Sequence, residues 1–512
     1  MTHSITLTGS SLTLEQVVQV ARDATCRVTA NPGALAVLGQ SRARVEAAVA
    51  NGETMYGINT GFGKLATVRI PPDALERLQL NLLRSHAAGV GEPLPREVVR
   101  AMMLLRANVL LRPTSGVRPG LPEALLALLN ANIIPWVPEQ GSVGASGDLA
   151  PLSHLALVVL GEGEVLGPDG REATPATAAL QAAGIPPWQF GPKEGLAFIN
   201  GTQAQTALLS LIVHDAEVLW RSAVGAAAMS LEALQGTPVP LDARIHAARP
   251  HHGQGRAAAL MRRLLADSEI RESHRDNDDR VQDAYSLRCA PQVLGAVADA
   301  IAFARGVAEV ELNASTDNPL VFAVEDRGEI LSGGNFHGQP VAQALDFLAI
   351  TLTTLQAISE RRIERLVNPD LSHGLPAFLT RDPGLSSGHM MVQITAAALV
   401  AESRAIAYPA SIGSIPTDAN QEDFVPMGMG AAWKARRILR NAQQVVAAEF
   451  LSAAQGLEFL LPLRPGTGVA ALHHRIRHLA HPVLALGEDR PPAPDLRHLL
   501  EAVATGALDP GE

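Results

Sequence analysis

The sequence predicts a mainly α protein, a bundle of long helices joined to a mixed N-terminal domain. Three observations carry that prediction. Beyond about residue 95, apolar residues recur at helical spacing over long windows. Ala and Leu dominate those windows while aromatic residues make up only 4% of the chain, a composition suited to close helix–helix contact. Several windows also exceed the roughly 8–20 residues of an ordinary globular helix, which favours a bundle.

Taken in order, residues 1–110 are expected to form the mixed domain, with breaks at "ANPG", "NGE" and "IPPD". Residues 111–512 are expected to form the helical-bundle domain. Two segments that open on proline, "PREVVRAMMLLRANVLLR" and "PEALLALLNAN", begin the helical pattern. Further helices are expected near 201–235, 290–314, 338–368, 386–407 and 430–460. The stretch 161–195 reads as a surface excursion. Polar or Gly-rich joints separate the helices: "EGLAFINGTQ", "RDNDDRVQDAYSLR", "SGGNFHGQP" and "IPTDANQEDF". Functional side chains concentrate on such loops when a rigid scaffold holds them.

The composition excludes several classes. A net charge of −10, from 51 acidic and 41 basic residues, argues against a nucleic-acid partner. Cys26 and Cys289 are the only cysteines, too few for a disulfide framework or a cysteine metal cage, and they suit a reducing cytoplasm. "MTHSITLTGSSLTLEQ" has no basic region before an apolar core, so no signal peptide is expected. His214, Asp215, Glu217 and Arg221 interrupt the long apolar stretch from Gly201 to Leu234, which argues against a membrane span. His474 and His478 stand four apart and His251 and His252 are adjacent, but neither pair has a recognisable third ligand. "RDNDDR" lacks the glycine and terminal glutamate of a calcium loop, and "GEGEVLG" is acidic where a dinucleotide phosphate would sit. No metal is expected.

Two loops stand out chemically. "GSVGASGDLAPLSH" sets small residues at the mouth of a helix. It has no lysine for a phosphate cradle and no glycine two places after Ser146 for a nucleophile elbow. Its plain reading is a turn capped by Asp148, with Pro151 in the first helical turn. The second loop, "MYGINTGFGKL", holds Tyr56, one of only three tyrosines, among glycines that permit tight turns. Another tyrosine, Tyr285, lies in "VQDAYSLR" beside Gln282 and Arg288. A tyrosine usually fills a core, but a phenol can also serve as acid or base. Arg288 offers a planar fork suited to a carboxylate.

Taken together, "YGINTGFG", "SHAAGVGEPL", "GSVGASGDLAPLSH", "EGLAFINGTQ", "VQDAYSLRCAPQV", "STDNPLVF", "SGGNFHGQPVA", "SERRIERL" and "NQEDF" resemble the aromatic amino acid ammonia-lyases, in order and over nearly the whole chain. The resemblance implies a helical bundle of the fumarase/aspartase-like type and a homotetramer whose active sites combine residues of three subunits. It further implies that Ala145, Ser146 and Gly147 cyclise into a 4-methylidene-imidazol-5-one, an electrophilic group no unmodified side chain can replace. Small residues ease that ring closure, and a helix starting near Asp148 would favour electron build-up on the ring. By the same resemblance the substrate amine adds to the methylene, Tyr56 acts as base, and Arg288 holds the substrate carboxylate. Asn200, Gln282 and Tyr285 would orient ring and substrate, with Phe336 packed near the prosthetic group.

Ser85 and His86, with Glu422 in "NQED", match the family members acting on histidine. A carboxylate and an imidazole suit a polar heteroaromatic ring and would be costly beside benzene. The expectation is a carbon–nitrogen lyase converting L-histidine to trans-urocanate in the cytoplasm. Glu422 is also a candidate for proton transfer. Phe424 and Pro426, where "HVSMG" is usual, and His389, where phenylalanine is common, are departures that leave a shifted substrate range open. A phenylalanine or tyrosine lyase, or a related aminomutase, is the alternative within the family. An inactive helical scaffold is the alternative outside it, against which the intact "ASGD", Tyr56 and Arg288 argue.

Overall fold

The computed structural model describes residues 4–511 apart from 168, 171, 277 and 324–327. The mixed start is present: strands Ser4–Leu7 and Arg27–Ala30 pair in parallel on either side of helix Leu14–Arg22. Thr13 and Gln16 close a reciprocal capping box on that helix, satisfying amides its first turn would leave unpaired. Helix Pro32–Ala50 follows, with Pro32 in its first turn and the Asn31 side chain accepting from Gly33 and Ala34.

Beyond this the chain is mainly helical, as expected. The segment beginning at Pro95 forms helix Arg96–Leu110, of which thirteen residues from Val98 to Leu110 are buried. The long helices fall at Gln203–Ala233, Ala290–Glu311, Gln339–Val367, Met390–Ile406 and Gly428–Glu458. Of the described helices, Gln339–Val367 is long and apolar enough by composition to cross a membrane. It carries Asp346, Glu360, Arg361 and Arg362, and 61% of its most apolar window is buried, as in the core helix of a bundle.

The chain divides into two units. The first comprises 1–214, 305–346 and 409–433, and the second 215–304, 347–408 and 434–512. Four of the five divisions therefore fall inside long helices, and the fifth follows helix Met390–Ile406. Residue 110 closes a helix within the first unit, and both loops singled out in the sequence belong to that unit.

Two expectations need correction. The stretch 161–195 begins as an excursion, with a hairpin of Glu164–Leu166 and Ala173–Pro175, but by Phe190 it is buried, and Lys193 and Glu194 have no exposed surface. The Glu194 carboxylate takes bonds from the Gly191 amide at 2.9 Å and from the Arg118 amide and guanidinium. Asp148, in turn, precedes helix Leu149–Leu160 but its side chain makes no cap bond to it. The carboxylate faces the interior instead.

In the second unit, Glu449 is completely buried and takes both arms of an equally buried Arg362, at 2.5 and 2.8 Å. Ser230 and Ser359 donate to the same carboxylate at 2.7 and 2.5 Å, so three long helices share one polar knot. Removing one partner of such a pair strands a charge in a medium that cannot solvate it. Glu449→Ala is expected to lower stability by about 3–5 kcal/mol in chemical denaturation; a loss under about 1 kcal/mol would show that the knot is dispensable.

Candidate active site

A cavity of about 700 Å³ opens in the first unit, and Tyr56, Ser85, His86, Ser146, Asn200, Phe336 and Glu422 all line it. Local sequence explains how these side chains reach it. Ser146 sits on the turn that ends at helix Leu149–Leu160. Gly144 and Gly147 bridge across that turn, with φ of +75° and +72°. A side chain at Gly147 would put its Cβ 2.1 Å from the Gly201 carbonyl oxygen, so glycine is required there. That carbonyl accepts the Asp148 amide at 2.7 Å. The Asn200 side-chain amide donates to the Ser146 carbonyl at 2.9 Å, while Asn200 Oδ1 is buried with no hydrogen-bond partner among the described residues.

The Asn200–Gly201 corner is itself held from beneath. Arg106, fully buried, donates to the Ala197 and Asn200 carbonyls at 2.6 and 3.1 Å and to Gln203 Oε1 at 2.5 Å. Burial pulls its guanidinium down to about 10, which leaves it charged at neutral pH. Lys193 and Asp317 form a second fully buried pair at 2.6 Å.

Opposite Ser146 stands Glu422. Its Oε1 accepts from Ser146 Oγ at 2.6 Å and its Oε2 from Thr417 Oγ1 at 2.6 Å. The turn that presents it contains three successive left-handed residues, Asp418, Ala419 and Asn420, at φ of 47°, 51° and 66°. Such strain persists where the surroundings over-determine the backbone. Here the Lys64 amide donates to Asp418 Oδ2 at 2.9 Å, and a Cβ at Gly63 would sit 1.9 Å from that oxygen. The Gly63 amide donates to the Tyr56 hydroxyl oxygen at 3.2 Å, so the tyrosine loop and the glutamate turn brace one another.

Electrostatics differ across the cavity. Burial raises the Tyr56 phenol above its ordinary range, the Gly63 amide works against that, and the Asp418 and Glu422 carboxylates add to it. Burial lowers the His86 imidazole, with the two carboxylates pulling the other way, so the ring is neutral at neutral pH. His86 ends helix Leu75–His86, and its Nδ1 lies 3.0 Å from Ser85 Oγ. The site thus presents a serine hydroxyl, a phenol, a neutral imidazole and a carboxylate around one space.

The lining of this cavity comes from the first unit, whereas Gln282, Tyr285 and Arg288 belong to the second. There Tyr285 is exposed, the Arg288 guanidinium lies 4.5 Å from its ring centroid, and Arg288 Nε donates to the Asp283 carbonyl at 3.0 Å. Phe424, Pro426 and His389 are not among the cavity residues. Phe424 stacks on His337 and accepts from its Nε2 at 3.1 Å, and His389 is a buried, neutral residue at the start of helix Met390–Ile406, pushed down to about 4 chiefly by burial. Sequence reasoning missed Thr417, Asp418 and Arg106. The first two stand in "IPTDANQEDF", and only their proximity to Glu422 signalled a role.

Of the residues weighed as metal ligands, His474 and His478 are exposed and stack at 3.9 Å. Asp278 and Asp279 of "RDNDDR" come together with His373, their ligand atoms within 4.8 Å of one another. Asp278 is already paired with Arg280 at 3.0 Å.

A family model described as aromatic amino acid lyase matches residues 12–478. The chain is 53% identical over 513 residues to a protein of Anaeromyxobacter dehalogenans named histidine ammonia-lyase, covering 99% of this chain and 100% of that one. The solved structure of histidine ammonia-lyase from Trypanosoma cruzi is similar with a TM-score of 0.89 at 42% identity, covering 99% and 94% of the two chains. A tyrosine aminomutase from Streptomyces globisporus is similar with a TM-score of 0.92 at 39% identity, covering 99% and 97%.

Proposed function

The chain belongs to the aromatic amino acid lyase family, and from that premise we propose that it eliminates ammonia from L-histidine to give trans-urocanate, the opening step of histidine degradation. One observation carries the reading: Ser146, Tyr56, His86 and Glu422 share a single cavity.

The Ala145–Gly147 turn fits closure to a methylidene-imidazolone. It is folded back between two glycines, Ala145 is 4% exposed, and the space beside Gly147 admits no side chain. Closure joins the Gly147 nitrogen to the Ala145 carbonyl carbon, whose oxygen leaves as water with the amide hydrogens of Gly147 and Ser146. A second water takes the Ser146 hydroxyl and α-hydrogen. The group so formed supplies an electron sink that the ordinary side chains lack.

The chain's own residues do the rest. Asn200 holds the Ser146 carbonyl oxygen, which becomes the ring oxygen. Tyr56 serves as base for the β-hydrogen. His86 and Glu422 read the substrate imidazole, and Phe336 closes an apolar wall beside it. Gln282, Tyr285 and Arg288 complete the site from neighbouring copies in a homotetramer, Arg288 clamping the carboxylate. The proposal places the enzyme in the cytoplasm, with no nucleic acid, membrane or metal as partner.

The test is the kcat/KM of L-histidine relative to L-phenylalanine and L-tyrosine, in the wild type and in His86→Leu. A site built for hydrogen bonds can reject an analogue lacking them by about 10⁴–10⁵-fold, so the wild type is expected to favour histidine widely and His86→Leu to shrink the ratio by about 10²-fold or more. A wild type that prefers phenylalanine or tyrosine would overturn the histidine assignment.

A further inference from the structure

Asp148 is fully buried, and burial pushes its carboxyl up to about 6 against several hydrogen bonds. Two of those bonds come from one residue. The Gln205 backbone amide donates to Oδ2 at 2.9 Å and its side-chain amide to Oδ1 at 3.3 Å; Ser142 Oγ supplies another to Oδ1 at 2.9 Å. Gln205 stands in the first turn of helix Gln203–Ala233, so this brace is anchored in a long rigid element.

The side-chain amide of Gln205 also meets three glycines. A Cβ at Gly428 would lie 1.9 Å from its Oε1, a Cβ at Gly338 2.4 Å from both Oε1 and Nε2, and a Cβ at Gly144 3.1 Å from Nε2. Its Oε1 is buried and has no hydrogen-bond partner among the described residues. The three glycines mark where three segments converge: the Ala-Ser-Gly turn, the segment after Phe336, and the segment after Glu422. Two backbone bonds sew them together, from the Gly338 amide to the Gly144 carbonyl at 3.1 Å and from the Met427 amide to the Val143 carbonyl at 2.8 Å.

We propose that Gln205 is a positioning residue for formation of the prosthetic group: with Ser142 it clamps Asp148 and wedges the three converging segments, holding the 144–147 turn in the compressed form from which the Gly147 nitrogen reaches the Ala145 carbonyl. The inference rests on the ring reading above. Ring closure is intramolecular, and its rate depends on how much of the approach is prepaid by the fold; misplacement by about 1 Å costs on the order of 10²-fold. Gln205 is not among the residues that line the substrate-facing cavity, so its loss acts on maturation and not on turnover by a ring already made.

The test follows the loss of two waters by mass spectrometry after synthesis of the full chain in a cell-free system. Gln205→Leu keeps the backbone bond to Asp148 and removes the amide. It is expected to slow the mass loss about 10²-fold, while the melting temperature and the activity per ring-bearing chain stay close to wild type. Should Gln205→Leu fail to fold, Ser142→Ala removes the other side-chain donor from a half-buried loop position and is expected to slow maturation in the same direction. Maturation of the folded variants at the wild-type rate would overturn the inference while leaving the ring reading intact. Wild-type chains that never lose the two waters would overturn both.

Discussion

Ser146→Ala is expected to lower turnover of L-histidine by about 10⁴-fold or more, the scale on which removal of an indispensable catalytic group acts. The substitution deletes the oxygen whose departure creates the electron sink, and nothing else lining the cavity can accept an electron pair. The fold should survive. Ser146 is only half-buried, its Oγ makes one bond, to Glu422 at 2.6 Å, and the Asn200 bond to its carbonyl remains. Circular dichroism and size-exclusion profiles like those of the wild type, together with lost activity, are the expected pair. A variant that keeps wild-type turnover would remove Ser146 from the chemistry.

Tyr56→Phe is expected to cost 10²–10⁴-fold in rate, the usual worth of a general base to order of magnitude, while the ring still forms. The lost hydroxyl accepts a single amide, that of Gly63 at 3.2 Å, so stability changes by about 1 kcal/mol. The same group sets a pH dependence. Burial and the nearby carboxylates raise the phenol, so in the free enzyme at neutral pH it holds its proton and the base-competent fraction is small. That fraction grows with pH, and kcat/KM should climb from neutral into the alkaline range. His86 is shifted the other way; it is already neutral and adds nothing to the rise. The substrate amine titrates in both proteins, so the comparison with Tyr56→Phe isolates the phenol: the variant's profile should be shallower by one proton. Identical slopes would move the role of base to Glu422.

The long helices were legible because their signal is local. Apolar spacing places Gln203–Ala233 and Gly428–Glu458 within about three residues of their observed ends. The Ala-Ser-Gly turn and the Tyr56 loop were legible because glycines crowd where backbone must approach backbone, as Gly147 does with Gly201. What was not legible depends on approach between distant segments. Asp148 looks like a cap by local rules, yet Ser142 and Gln205 turn its carboxylate inward. Asp418 gains its meaning only from Gly63 and Lys64, more than 350 residues earlier. Arg106 reads as one more helical arginine until Asn200 is seen above it.

The intact mass of the purified wild-type protein tests the central claim most directly. The account predicts a mass below that of the sequence by two waters, with the deficit confined to a peptide containing Ala145, Ser146 and Gly147. A fully active protein at its full sequence mass would contradict it.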